Sequence, residues 1–228
     1  MILAALFLLL AATPAPATAS DLPAGLPEGW YARIDTTLGT MVARLLPENA
    51  PQATAHFAAL AEGRLPWSDL VTGEQRTGHY YDGIPIHKAV AGERFEAGDA
   101  SGTGRGAPLI YSPEERGTLG FEQPYRLGMT RGSLNRTSGV LFFVSVSALP
   151  FLTSRHPCFG ELVSGQDVAW NIATVKTNSM GKPLEPVVIR SVKILAVGSP
   201  PPLPDAVPYT PPPPQPMGIK HPLPSASR

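Results

Sequence analysis

The chain has 228 residues, with 18 basic and 18 acidic side chains and a formal net charge of zero. This length fits one domain of ordinary size with some residues to spare. A neutral chain without a basic stripe has no electrostatic reason to bind nucleic acid, so we expect no nucleic-acid partner. Proline is abundant, at 27 residues, and twelve of these fall between Pro200 and Pro224.

The N-terminus carries an unbroken apolar run from Ile2 to Ala12. This run is shorter than the roughly 20 residues that a membrane-spanning helix needs. Ala17-Thr18-Ala19 follows as a small-x-small cleavage pattern, which predicts a signal peptide over 1–19 and export, in a bacterium to the periplasm. No Lys or Arg precedes the apolar run, so the α-amino group alone would supply the positive charge, or the true start lies upstream. An uncleaved N-terminal anchor is the alternative to a cleaved signal. A Pro- and Gly-rich linker is predicted over 20–30.

The first regular elements predicted after the linker are a hairpin and a helix. Apolar and polar residues alternate on both sides of Leu38-Gly39, which is typical of a β-hairpin. Apolar residues then recur at helical spacing over 49–63, with Asn49 as the predicted N-cap and Pro51 in the first turn. His56 is expected to face solvent.

The rest of the domain is predicted to be mostly β. Strands are favoured over 84–90, over the dense apolar run 139–148, over 156–165 and over 185–197. A second helix is predicted over 166–175, far along the chain from the first. Long β segments with two separate helices favour an antiparallel sheet or barrel covered by two helices.

The last thirty residues, 199–228, cannot bury a core because proline dominates them. They are predicted to be a disordered, extended tail that acts as a spacer. The alternative is that the tail binds a partner with a proline-recognising groove.

Two reactive-group hypotheses have weak support. Cys158 is the one cysteine and is expected to pack as a small apolar residue, although His156 nearby leaves a thiol nucleophile as an alternative. His79 and His87, followed by Glu93 and Glu96, do not have a standard metal-ligand spacing. We therefore expect no metal and no cofactor.

Five segments occur in a fixed order: "APQATAHFAALAEG", "YYDGIPIHKAV", "EAGDASGTGRGAP", "GVLFFVSVSALPFLTSRHPCFGELVSGQDV" and "VVIRSVKI". In this order and at these spacings they resemble the cyclophilin-type peptidyl-prolyl isomerases, and the loop "PWSDLVTGEQRTGHYYDG" resembles the bacterial branch. The resemblance implies a mainly β domain over 31–198, an eight-stranded antiparallel barrel capped by two helices. It also implies a monomer whose partners are proline-containing peptides or unfolded proteins.

The reaction implied by the resemblance is rotation about an Xaa-Pro amide, whose barrier of about 18–20 kcal/mol comes from amide resonance. No bond breaks, so no general base is required. Catalysis needs a pocket that grips the proline ring and a donor aimed at the amide as it twists.

Carried over position by position, the resemblance assigns catalytic roles to two residues and substrate binding to seven. Lys88 stands where the family has its arginine and Glu96 where it has a glutamine, while Glu93 and Arg94 replace two apolar pocket residues. The expected catalytic residues are His87 and Lys88. The expected substrate-binding residues are Glu96, Thr130, Arg131, Phe143, Phe151, Leu152 and His156.

Two functions follow as hypotheses. The first is a prolyl isomerase for protein folding with reduced activity, because a lysine does not reproduce the planar fork of an arginine. The second is a catalytically weak or inactive peptide-binding module, suggested by the charges of Glu93 and Arg94 in the pocket.

Overall fold

The computed structural model describes residues 21–69, 72–132 and 136–207. The predicted signal peptide and the predicted tail beyond Val207 lie outside the described residues. In chain order the elements are β1 (Gly29–Thr36), β2 (Gly39–Leu45), α1 (Pro51–Ala61), β3 (Trp67–Ser68), β4 (Gln75–Arg76), β5 (Lys88–Val90), β6 (Arg94–Ala97), β7 (Arg126–Arg131), β8 (Thr137–Ser145), β9 (Cys158–Ser164), α2 (Gln166–Ala173) and β10 (Ile189–Val197). A short 3-10 turn, Pro150–Leu152, precedes β9.

Eight strands form one curled antiparallel sheet in the order β10-β1-β2-β9-β7-β8-β6-β5. Its two ends meet because residues 83–86 bond to residues 187–189, as when the Ile86 amide donates to the Val187 carbonyl at 2.8 Å. The remaining strands, β3 and β4, pair with each other. The predicted architecture, eight antiparallel strands with two helices, is confirmed.

Helix α1 is buried on nearly every side, because Phe57 at its centre contacts the rings of Tyr81, Phe142 and Phe159 at centroid distances of 5.0–5.3 Å. This packing makes the prediction for His56 wrong. The ring of His56 is fully buried, and its Nδ1 lies 2.8 Å from the Gln52 carbonyl. A one-residue offset from Phe57 does not expose a side chain on a helix that is enclosed by the sheet and loops.

The N-terminus of α1 is capped from a distant loop. The Glu115 carboxylate accepts hydrogen bonds from the amides of Gln52 and Ala53, at 2.7 and 2.8 Å, which satisfies two of the free N–H groups that begin any helix. The prediction that Asn49 is the N-cap is therefore wrong: Ala50 holds that position. The Asn49 side chain instead donates to the Leu119 and Cys158 carbonyls and accepts from the Leu119 amide.

A second, smaller core lies apart from the main one. It consists of Leu46, Phe121, Phe143, Leu149, Leu152 and Cys158. Asn49 connects this core to α1, because its bonds to Leu119 and Cys158 hold the segment that leads to Phe121 against β9. The expectation that Cys158 packs as a small apolar residue is confirmed by its burial here.

The described start of the predicted tail, residues 199–207, is attached to the domain. Trp30 donates its indole N–H to the Pro201 carbonyl at 2.8 Å. Gln52 donates to the Asp205 carbonyl and accepts from the Val207 amide. These bonds join a proline-rich segment to the start of β1 and to α1.

Candidate active site

Strand β6 presents charged side chains on one face and apolar side chains on the other. Phe95 and Ala97 are buried in the main core, so Arg94 and Glu96, which alternate with them, point to the opposite face. In the sheet register Glu96 lies opposite Phe143 of β8. The strand period therefore places two charges beside the aromatic ring of the smaller core.

A cavity of about 460 Å³ opens on this face of the sheet. Six of the seven predicted substrate-binding residues line it. The described lining residues are Arg94, Glu96, Thr130, Arg131, Phe143, Leu152, Arg155 and His156.

Three predicted site residues are not among those described lining residues. Phe151 is 58% exposed. His87 and Lys88 lie on the side of Glu96 that is opposite to Phe143. The lining also includes Arg94, which the resemblance placed in the pocket without a catalytic or binding role, and Arg155, which was not predicted. The alternation of Arg94 with Glu96 was a sequence signal for Arg94, whereas Arg155 lies after an irregular turn and had no such signal.

Glu96 is the centre of a network of charges. Arg94 donates from Nε to Glu96 Oε1 and from Nη1 to Glu93, at 3.0 Å each, and its Nη2 lies 2.9 Å from the same Glu96 oxygen. The Lys88 ammonium lies 3.4 Å from the same Glu96 oxygen. Lys88 and Arg94 thus share Glu96, and the charges of these three residues and Glu93 balance.

The floor of the cavity is formed by Phe143, Leu152 and His156. The His156 ring meets Phe143 edge-on at 5.4 Å, and Phe143 lies 4.9 Å from Phe121 beneath it. His156 Nδ1 is 2.8 Å from the Met129 carbonyl, and a carbonyl can only accept. Nδ1 therefore carries the proton of the neutral ring, and Nε2 keeps its lone pair.

Burial lowers the pKa of His156 below its ordinary value of 6.5, and the positive charges of Arg131 and Arg94 lower this pKa further against the opposing effect of the Met129 hydrogen bond. The ring is therefore neutral at neutral pH. A neutral imidazole lets the floor remain largely apolar.

His87 is a buried residue behind the charged network. Its Nε2 lies 3.9 Å from Glu96, and its Nδ1 has no hydrogen-bond partner among the described residues. Burial lowers its pKa, while the charges of Glu96 and Asp99 act in the opposite direction. His87 therefore supports the back of the network, and its predicted catalytic role stays a prediction.

Strand β7 ends at the cavity with Thr130 and Arg131. The β7–β8 register shifts between Met129 and Arg131, so Thr130 lies at an irregularity of the ladder, where strand backbone groups are left out of the regular pattern. Arg131 donates to the Arg155 carbonyl at 2.9 Å and pairs with Glu114 at 3.4 Å. Glu96 is thus paired with Arg94 and Lys88, whereas Arg131 is paired with Glu114.

Other chemistries find less support in the described residues. Burial raises the pKa of the Cys158 thiol to about 11, which disfavours the thiolate that a nucleophile requires. His79 bonds to the Ala61 carbonyl. Within the described ranges no group of three or more His, Cys, Asp or Glu side chains is placed to hold a metal ion. The same ranges contain no helix with the length and apolar character needed to cross a bilayer.

A curled eight-stranded antiparallel sheet with two helices and a cavity of this composition defines a cyclophilin-like protein. The family model described as cyclophilin type peptidyl-prolyl cis-trans isomerase/CLD matches residues 31–194. The chain belongs to this family, and its activity is that of a peptidyl-prolyl cis-trans isomerase.

Relatives agree in sequence and in fold. Peptidyl-prolyl cis-trans isomerase B of Streptomyces anulatus is 39% identical over 171 residues, which cover 73% of this chain and 97% of that protein. A probable peptidyl-prolyl cis-trans isomerase A of Mycobacterium leprae is 34% identical over 166 residues, covering 72% and 91%.

Two crystal structures of a Cryptosporidium parvum cyclophilin type isomerase, each 25% identical, are also similar. One has a TM-score of 0.60 and covers 74% of this chain and 98% of that chain. The other, determined in the presence of the dipeptide Ala-Pro, has a TM-score of 0.57 and covers 74% and 99%.

Proposed function

We propose that this isomerase binds proline-containing segments of unfolded proteins in the 460 Å³ cavity and rotates the Xaa-Pro bond there at a reduced rate. The observation that carries the proposal is that an apolar floor and hydrogen-bond donors line the same cavity. Phe143, Leu152 and His156 offer a surface for the proline ring, and Thr130 and Arg131, which line the same cavity, would bond to the substrate backbone.

The reduced rate follows from the charges at the edge of the cavity. Lys88 carries a mobile point charge instead of a planar fork, and Glu96 holds its ammonium at 3.4 Å. Loss of one well-placed donor typically lowers a rate by about 10²–10³. We therefore expect catalysis that is measurable but weaker than that of relatives which keep an arginine at position 88.

A direct test is exchange spectroscopy of an Ala-Ala-Pro-Phe peptide with the purified protein. Uncatalysed isomerisation takes about 10–100 s, so even a weak catalyst at high concentration should shorten the exchange time. An exchange rate equal to that in buffer would contradict the proposal. A rate as high as that of an arginine-bearing relative would contradict only the reduced activity.

A second candidate function is peptide binding with little or no turnover. The specific observation in its favour is that Arg94 and Glu96 place an ion pair within the wall of the cavity, which reduces its apolar surface. It predicts that peptide signals shift on titration while the exchange time stays that of buffer. Robust turnover on several Xaa-Pro sequences would exclude it.

We also propose that the protein is exported, in a bacterium to the periplasm, after cleavage near Ala19. The support is the apolar run with its small-x-small pattern, which precedes the family region that begins at residue 31. N-terminal sequencing of the protein from fractionated cells should give Ser20 or Asp21 in the exported fraction. An intact Met1 on membrane-bound protein would favour the anchor instead.

We further propose that the chain is monomeric and that its proline-rich end binds a partner with an aromatic groove. Light scattering should give one chain mass. Deleting 208–228 should abolish binding to an isolated proline-recognising domain while peptide isomerisation persists. Equal binding with and without these residues would contradict the partner.

A further inference from the structure

Two cations flank the Glu96 carboxylate, and they differ in position. Arg94 lines the cavity together with Phe143, Leu152 and His156. Lys88 approaches Glu96 from outside the described lining, with a side chain that is 39% exposed against 18% for Arg94. The guanidinium is therefore the cation nearer to a bound peptide.

Arg94 is also the more firmly held of the two. Its Nε and Nη1 donate to Glu96 and Glu93 at 3.0 Å each, and its Nη2 lies 2.9 Å from Glu96. Carboxylates on both sides fix the plane of the fork, because a guanidinium hydrogen bond is directional. Among the described residues Lys88 has one ion-pair partner, at 3.4 Å, and an ammonium on a flexible stem keeps more rotational freedom.

The guanidinium retains donors for a ligand. An arginine has five N–H groups, and the hydrogen bonds to Glu96 and Glu93 use the Nε–H and one N–H on Nη1. These two bonds leave the second N–H on Nη1 and those on Nη2, which lies 2.9 Å from Glu96 Oε1. A donor fixed before the substrate arrives stabilises developing charge without reorganisation during the reaction.

Resting on the proposed function, we propose that Arg94, rather than Lys88, is the catalytic donor of this site. One of its remaining N–H groups donates to the prolyl nitrogen as the twisting amide restores the nitrogen lone pair. Glu96 and Glu93 are positioning residues that hold the fork. No covalent bond forms or breaks. The hydrogen bond forms as the twisting amide loses its resonance, and it is released when the amide becomes planar again.

The test compares Arg94→Met with Lys88→Met in the exchange assay on Ala-Ala-Pro-Phe. Arg94→Met should lower kcat/KM by about 10²-fold, since one transition-state donor is lost. Lys88→Met should cost no more than about three-fold, because it removes one partially exposed neighbour of Glu96. Arg64→Met, an exposed arginine beyond α1 that pairs with Glu62, is the matched control and should leave the rate unchanged.

A second variant separates a chemical role from a structural one. Arg94→Lys keeps the charge but loses the fork, and should lower kcat by about ten-fold or more while peptide affinity from signal titration changes much less. If Arg94→Met fails to fold, Arg94→Lys still tests the proposal, and urea denaturation of Arg94→Lys shows whether that variant is folded. An equal loss of affinity and rate would indicate uniform binding and contradict the proposal.

The outcomes distinguish this inference from the function on which it rests. A wild-type rate equal to buffer overturns both. If the wild type is active but Lys88→Met loses as much kcat/KM as Arg94→Met, or if Arg94→Met raises kcat/KM, the role of Arg94 alone is overturned. A selective loss in both Arg94 variants supports it.

Discussion

The floor and the charged edge of the cavity are held by different forces. Phe143 and Leu152 in the floor belong to a buried apolar cluster with Phe121. The edge, formed by Lys88, Glu93, Arg94 and Glu96, is held by ion pairs. Apolar burial contributes kilocalories per side chain, whereas the attraction within an ion pair is offset by the cost of desolvating its charges. Changes to the floor should therefore affect stability, and changes to the edge should affect chemistry.

The largest expected effect is that of Phe143→Ala. This ring is 1% exposed and contacts Phe121 and His156, so its truncation should cost about 3–5 kcal/mol of unfolding free energy. Urea denaturation measures this loss. Phe151→Ala is the matched control: its ring is 58% exposed and its loss should cost less than about 0.5 kcal/mol. Equal destabilisation by the two variants would mean that the floor is not held by packing.

A smaller loss of unfolding free energy is expected for Asn49→Ala, which removes the connection between α1 and the floor. The variant leaves the Cys158 carbonyl without its 2.8 Å bond and the Leu119 amide without its acceptor. Loss of such buried partners costs about 1–3 kcal/mol. Asn171→Ala on the exposed side of α2 should cost nothing comparable. An Asn49→Ala variant as stable as the wild type would show that these contacts do not support the floor.

Acidification should lower the stability of the folded protein through its buried histidines. Burial lowers the pKa values of His56, His87 and His156 from 6.5. The unfolded chain then binds protons that the folded chain does not, so stability is full above pH 6.5 and falls as the pH drops through that value. Urea midpoints from pH 8 to pH 5 would measure the decline, and His156→Gln should reduce it. A midpoint that is flat or rises over this range would contradict the prediction.

The smallest stability change is expected at the edge itself. Lys88→Met removes one ion pair of a side chain that is 39% exposed, so the unfolding free energy should change by less than about 1 kcal/mol. Matched urea curves for wild type and Lys88→Met would measure this difference. A loss as large as that for Phe143→Ala would mean that the edge shares in the packing of the floor.

Local patterns predicted most of the regular elements because they depend on neighbouring residues. The alternation around Leu38-Gly39 gave the β1–β2 hairpin, and the apolar run after Gly139 gave the core of β8. The wrong predictions concern contacts between distant segments. Asn49 was a plausible cap by its residue type, but Glu115 reaches the helix from 62 residues or more away. Helical spacing also gave no indication that the sheet and loops would enclose His56.

The candidate site divides in the same way. Six of the predicted binding residues meet at one cavity, since family motifs identify positions that the fold brings together. The distinction between Lys88 and Arg94 depends on where each side chain ends after β5 and β6 pair, and the residue types alone do not specify this. Arg94, interpreted from sequence as an obstacle in the pocket, is instead a held donor in its wall.

Hydrophobic periodicity and motif order were enough to predict the alternating strands, the two helices and the family, because both are written along the chain. The folded structure was needed to show that Arg94 rather than Lys88 lines the cavity, that Glu115 caps α1 and that Asn49 supports the floor. These outcomes depend on side chains from separate elements meeting within hydrogen-bond distance, and that proximity is set by sheet register and packing rather than by sequence neighbours.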